Sequence, residues 1–409
     1  MRLSTSMIYQ SGLNGILNSQ SSLLGLQQQV SSGRRVVTPS DDPLAAGQSI
    51  TVSQNLAMTK AYASNRVVAE RALGVEDNAL QAVISNLTGV FERIVQAGDG
   101  TLSDPDRRML ASVIGNSRDA LFALANTTDG NGQYLFSGYQ GGTPAYSVDA
   151  TGAISYTGDS GQRVVQVDQA REMASTDVGT DIFSRATPGT NTYFIAAGAN
   201  TGTATYGGPA TSGTAAQPGS SFKIDFADDG AGNISYTVTT TAADGTVSTS
   251  PAAAYSPGAA IQMDGVSVAV NGTPADGDSF TLEPAGSADL DVFATLEGLR
   301  QALLRPAQDD PQAQAALRNA LTSASRKISV NLDNVSTVRA SVGARQNELD
   351  ALAATGSQRT LTDTKALSDL VDLDYYSAVS AMTLRQVALQ ASMAAFSAIQ
   401  GVSLFSTNK

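Results

Sequence analysis

Acidic side chains are the groups in this sequence whose clustering could support chemistry. Asp225, Asp228, Asp229 and Asn233 surround Gly230, and Asp276 and Asp278 share a second turn. Grouped carboxylates can bind a divalent cation or, paired across a pocket, act as acid and base on a glycosidic bond. The spacing around Gly230 departs from that of an EF-hand loop, so a hairpin turn is expected there. Other catalytic plans lack their parts, because the 409 residues include no Cys, no His and no Trp. Disulfides, thiol nucleophiles, cysteine zinc sites, imidazole metal sites and a Ser-His-Asp triad are thereby excluded. The sequence predicts no catalytic residue, no metal and no cofactor.

A second chemistry, association through apolar surface, has stronger support. No charged residue occurs from Leu3 to Gly33 or from Gln386 to Asn408. In the first stretch Tyr9, Leu13, Ile16, Leu23 and Val30 follow a heptad, broadened by Leu17, Leu24 and Leu26. In the second, Val379, Met382, Leu389, Met393 and Phe396 form one stripe, with Leu384, Val387, Ala391, Ala394 and Ala398 beside it. A surface helix carries one apolar stripe and a charged back, whereas here Gln, Ser and Asn fill the remaining positions. Burial among several neighbours explains that choice: an unpaired buried charge costs several kcal/mol, while Gln, Ser and Asn can satisfy each other across helix contacts. The expected assembly interface is therefore Leu13, Ile16, Leu23, Val30, Leu384, Val387, Leu389, Met393 and Phe396. Such helices would become ordered inside an assembly; the blander alternative is that they pair as one more hairpin of a monomer.

The elements that position these ends divide by composition. Residues 131–286 hold 23 of the 38 glycines and only 4 basic against 14 acidic residues. The whole chain carries a formal net charge of −12, a balance unsuited to nucleic acid or anionic lipid. No apolar run reaches the roughly 18 residues of a membrane span, and the N-terminus lacks the apolar core of a cleaved secretory signal. Within the acidic middle, 222–226, 234–238, 266–270 and 279–282 alternate as strands, with Asn271-Gly272 and Ala275-Asp276-Gly277-Asp278 as turns. Residues 198–221 read as a long surface loop, joining two β lobes.

Both flanks read as helices. Ser40 is the expected N-cap of one, with Asp41 and Asp42 at its positive end and Pro43 in its first turn. Arg34 and Arg35 can pair with those aspartates. Leu80, Ile84, Leu87, Phe91 and Ile94 continue that helix. Ser103-Asp104-Pro105 opens another, with a stripe of Leu110, Val113, Ser117, Leu121 and Leu124; Val292, Leu296, Leu299 and Leu303 mark a third. After Asp310-Pro311, Leu321, Ile328, Val335, Val342 and Leu349 recur every seventh residue over a helix of about 40 residues, on the order of 60 Å. Its expected partner is the long helix after Pro43, packed antiparallel. The predicted fold class is α+β, an elongated antiparallel coiled coil or bundle from both chain ends with an inserted β-rich domain. The expected divisions are 1–42 and 362–409 as terminal core helices, 43–130 with 287–361 as the helical rod, and 131–286 as the β insert.

These residues also resemble a known family. Met1-Arg2-Leu3-Ser4-Thr5 and Tyr9, then Ser31-Ser32-Gly33-Arg34-Arg35 and Thr38-Pro39-Ser40-Asp41-Asp42-Pro43-Leu44-Ala45-Ala46, are similar to the amino-terminal signature of the flagellin superfamily. Gly132-Gln133-Tyr134-Leu135-Phe136-Ser137-Gly138 and Leu389-Gln390-Ala391-Ser392-Met393-Ala394-Ala395 add two matches. The Met1-Arg2 opening and Pro39 favour the branch that joins hook to filament. The ending, Ser403 to Lys409, departs from the family's Leu-Leu-rich close. The resemblance implies a non-enzymatic structural subunit of the bacterial flagellum, exported by the type III apparatus with a chaperone and without signal cleavage. It implies docking on hook-associated protein 1, contact with copies of itself, and a surface on which flagellin continues, with the terminal helices innermost and the β insert outward. Two rivals are a flagellin-like filament subunit and a cell-surface adhesin whose β domain binds a ligand.

Overall fold

Capping chemistry punctuates the helical flanks. The computed structural model describes residues 5–187, 192–211 and 218–405. Seven helices form among them: α1 Thr5–Ser32, α2 Pro43–Ala97, α3 Asp104–Ala125, α4 Gly179–Phe183, α5 Val292–Leu304, α6 Pro311–Val371 and α7 Tyr375–Phe405. Ser103 and Asp106 close a reciprocal capping box on α3, with Pro105 in its first turn. Asp291 caps α5, and the Asp310 carboxylate accepts from the amides of Gln312 and Ala313 at the start of α6.

At α2 the cap lies two residues later than the sequence suggested. The Asp42 carboxylate accepts from the amide of Ala45 at 3.0 Å, Pro43 is the first helical residue, and Ser40 instead bonds the Thr38 hydroxyl. Proline explains the shift, since it is favoured at the first position of a helix and biases the preceding residue away from helical geometry.

The chain resolves into two compact units, residues 1–65 with 351–409 and residues 66–350. In the second, all five heptad residues Leu321, Ile328, Val335, Val342 and Leu349 are buried. Opposite them α2 buries Leu73, Leu80, Val83, Leu87, Val90 and Ile94. Arg339 pairs with Asp77 at 2.8 Å, while Ala97 shares a cleft with Leu317 and Leu321, so α2 and α6 run antiparallel. Full burial of a Leu, Ile or Val side chain contributes about 1.5–3 kcal/mol, which makes this seam the main support of the unit. On α3 the buried residues include Leu110, Ile114 and Leu121, whereas Val113 stays exposed. The helix is rotated slightly from the expected stripe so that it can pack on α5.

The insert has two cores. Hairpins β1 (Tyr146–Val148) with β2 (Ile154–Tyr156) and β3 (Val164–Asp168) with β4 (Arg171–Ala174) precede α4. Their anchor is an aromatic cluster in which Tyr146 lies 5.6 Å from Phe183 and 5.1 Å from Phe293 of α5. Beyond them come β5 (Tyr193–Ala197), β6 (Thr205–Tyr206), β7 (Ala210–Thr211), β8 (Ser221–Asp228) and β9 (Ile234–Thr241). β10 (Val247–Thr249), β11 (Ala253–Ala254), β12 (Ala260–Met263), β13 (Val266–Asn271) and β14 (Ser279–Pro284) follow. One sheet has the order β10-β9-β8-β14-β5, with β11 also on β9; the other has β12-β13-β6, with β7 also on β13. Phe222, Ile224, Phe226, Phe280 and Leu282 of the first meet Ile261, Val266, Val268 and Val270 of the second in one core. The four strands read from the sequence are β8, β9, β13 and β14. The expected loop at 198–221 contains the short strands β6 and β7, and part of it, 212–217, lies outside the described residues.

Three buried asparagines of α6 hold this insert and the segment just after it to the helix. Asn319 donates to the Ala204 carbonyl and accepts from the Tyr206 amide, Asn331 donates to the Leu290 carbonyl, and Asn334 donates to the Asp181 carbonyl at 2.7 Å. Arg326 adds a bond to the Tyr193 carbonyl at 2.8 Å. The partners of these four side chains are backbone carbonyls or amides, and the Tyr206 hydroxyl donates to the Asn319 carbonyl at 2.8 Å.

Candidate assembly interface

The Ser and Thr residues of the two terminal helices can donate to the carbonyl one turn back in their own helix. Ser19 donates to Gly15, Ser22 to Asn18, Ser392 to Ala388 and Thr383 to Val379, all within 2.9 Å. The sequence pointed to satisfaction across helix contacts; here these hydroxyls are satisfied within their own helix. Covering the surface with protein would leave those donors paired.

α1 and α7 pack on one another within the chain. Tyr9 meets Phe396 with ring centroids 5.1 Å apart, and Gly33 lies beside Tyr375 at the other end, so the two run antiparallel. A Cβ on Gly12 would stand 2.8 Å from Phe396 Cδ2, a close approach that glycine alone permits. This pairing half-buries Ile16, Leu23, Val30, Leu389 and Phe396. The rest of the expected set stays exposed: Leu13 at 39%, Met393 at 47%, Val387 at 57% and Leu384 at 70%. Ala391, Ala394 and Ala398 are exposed along the same second stripe of α7. Met382, Leu389 and Phe396 of the first stripe thus serve the intrachain pair while the second stripe remains open.

Residues 33–42 and 370–375 form a joint that sequence reasoning did not find. Gly33 adopts φ 70°, and the Arg35 amide donates to the Val371 carbonyl at 2.7 Å while the Leu373 amide donates to Gly33. The Arg35 guanidinium spans the Leu370 carbonyl at 2.6 Å and the Asp42 carboxylate at 3.0 Å. Of the expected ion pairs, this one forms. Asp41 accepts instead from the amides of Val37 and Thr38, which hold its carboxyl below the usual range. The Ala45 amide and Arg35 do the same for Asp42. Asp374 caps α7 through Ser377 and Tyr376, and Asp-x-x-Ser after the end of α6 was the available signal.

The acidic turns are occupied by their own backbone. Asp228 accepts from the amides of Gly230 and Gly232, and Asp229 from Ala231 and Asn233. Asp278 is buried and accepts from Thr201, Gly202 and Ala275. Among the described residues no group of three or more acidic side chains is placed to hold a metal ion, and no helix is long and apolar enough to cross a membrane. A cavity of about 610 Å³ between α5 and α6 has Asp310, the α6 cap, as the one carboxylate in its lining.

The comparisons with known proteins agree with the helical ends. The bacterial flagellin N-terminal helical region matches residues 3–141, and the bacterial flagellin C-terminal helical region matches residues 326–406. Flagellar hook-associated protein 3 of Escherichia coli is 32% identical over 410 residues, covering 100% of both chains. The crystal structure of Xanthomonas campestris FlgL is 29% identical with a TM-score of 0.66, covering 78% of this chain and 99% of that one. The flagellar junction protein FlgL of Legionella pneumophila is 27% identical with a TM-score of 0.66, covering 80% of this chain and 100% of that one.

Proposed function

The chain belongs to the flagellar hook-associated protein 3 family and is a structural component of the bacterial flagellum at the hook–filament junction, not an enzyme; from that premise we propose that its terminal helices, α1 without a charge and α7 with Arg385 alone, are the surface by which it assembles. The observation that carries this reading is the open second stripe of α7, where Leu384 and Val387 are exposed after α1 and α7 have paired. Contiguous exposed apolar surface is a mark of protein association. The self-bonded hydroxyls lower the cost of covering it, and the alanines allow another helix to approach closely.

On this reading the chain docks on hook-associated protein 1, contacts copies of itself and offers flagellin a surface to continue from, after export by the type III apparatus with its chaperone. It then lies outside the cell, with the acidic β insert facing solvent. The net charge of the insert and its buried anchoring to α6 support that orientation.

The test is a Leu384→Asp, Val387→Asp variant added to isolated hooks. The variant is expected to keep the far-ultraviolet circular dichroism and melting of the wild type and to lose attachment at least tenfold. Normal capping by the variant would overturn the proposal. A tag on the wild-type chain is expected to label a point at the hook end, whereas label along the filament would favour the flagellin-like alternative.

A further inference from the structure

Two carboxyl groups and one guanidinium meet in the interior of the larger unit. Glu76, on the buried face of α2 between Leu73 and Leu80, is fully buried. Its Oε1 accepts from the backbone amide of Asp177 at 3.1 Å, and its Oε2 is buried without a hydrogen-bond partner. Asp177 lies in the segment between β4 and α4, and its side chain is 15% exposed. Arg345 of α6, 12% exposed, pairs with the Asp177 carboxylate and donates to the Ala174 carbonyl at 3.1 Å. The other Asp177 oxygen accepts from Gln162 at 2.8 Å.

The charges do not balance. Arg345 is already engaged by Asp177, so Glu76 has no cation of its own. The neighbouring charges on the same helices are paired with each other: Asp77 with Arg339, and Glu348 with Arg171 of β4. The buried Arg66 of α2 donates to the Val167 carbonyl of β3. An ionised Glu76 would be a buried anion facing a second anion, the arrangement in which a carboxyl keeps its proton.

We propose that Glu76, Asp177 and Arg345 form a proton-operated latch, closed while Glu76 carries a proton, that fastens the segment after β4 to α2 and α6. Burial is the largest influence on the Glu76 carboxyl and the Asp177 charge the next; both raise its pKa well above the usual value, and Arg345 offsets them in part. The sign follows. Folding that raises the pKa of an acid gives stability that is complete below the ordinary glutamate range and declines as pH rises through the raised value. The latch therefore holds most firmly in acid and slackens in alkali, opposite to the exposed aspartates whose carboxyls are depressed by amide donors.

Hydrogen exchange and carbon-13 titration on the full-length chain test this. With glutamate carboxyls labelled, the Glu76 resonance is expected to titrate well above the other glutamates. Exchange of the Asp177 amide, corrected for intrinsic base catalysis, is expected to accelerate about tenfold as pH rises from the ordinary glutamate range through the raised Glu76 value, equivalent to one pKa unit of coupling. Glu76→Gln, which mimics the protonated form, is expected to abolish that acceleration, and Asp177→Asn to bring the Glu76 titration down. A Glu76 resonance titrating with the other glutamates would overturn the latch, as would parallel exchange profiles for wild type and Glu76→Gln. The wild-type titration alone decides the matter if either variant does not fold. Neither readout involves hook attachment, so failure here leaves the assembly proposal standing.

Discussion

Gly12 illustrates how much rests on single residues at the chain ends. Because Phe396 occupies the space a Cβ would need, Gly12→Val should force α1 and α7 apart. The expected result is faster proteolytic trimming of both termini, with the melting of the larger unit unchanged. An unchanged trimming rate would show that the helices do not meet at this point. A second residue-scale prediction concerns acid. Hydrogen bonds from Arg300, with help from Gln301, lower Glu297 to about 2. Folding that depresses a carboxyl gives stability that is present above the ordinary glutamate range and lost as pH falls toward the depressed value. Glu297→Gln should therefore flatten the part of acid destabilisation between the ordinary glutamate range and about pH 2. Melting curves of both proteins through that window check the sign, and part of the Coulombic gain is screened at this partly exposed site.

At the scale of elements, the caps and the heptad seam carry separable amounts of stability. Ser103→Ala removes one half of the capping box on α3 and should cost about 0.5–2 kcal/mol in denaturant unfolding. Ile328→Ala empties a fully buried seam position and should cost about 2–5 kcal/mol, more than the cap. If the seam variant were the milder of the two, the α2–α6 core would not be the main support of its unit. These elements were legible because their signals are local: a Ser-Asp-Pro start, a sevenfold recurrence, alternation in β8, β9, β13 and β14. Hairpins β1–β2 and β3–β4 escaped because strands of three to five residues show too little alternation to stand out. α6 runs 61 residues, past the point where its heptad fades. Thr355, Thr360, Thr362 and Thr364 there bond carbonyls one turn back, so a threonine-rich stretch that suggests a break is accommodated as helix. The joint was illegible for another reason: Arg35 meets residues 335 positions away, and nothing in its neighbourhood announces that partner. The open stripe of α7 was half legible, since the two stripes could be read but not which of them α1 would cover.

At the scale of the molecule, unsupported surface at the two ends predicts where the chain will be cut first. Limited proteolysis of dilute protein should remove roughly the first 35–40 and the last 40 residues and leave a resistant fragment that contains the β insert. Protection of both ends would instead mean that the α1–α7 pair is a stable hairpin before any assembly, the alternative that the sequence kept open. The attachment of the insert has a different implication. Asn319, Asn331, Asn334 and Arg326 reach main-chain atoms at Ala204, Tyr206, Leu290, Asp181 and Tyr193 rather than side chains. Fastenings of that kind are indifferent to which amino acids they hold. The lobe of β5 to β14 is accordingly free to change its exposed lettering, and with it whatever meets it, while these backbone fastenings stay the same.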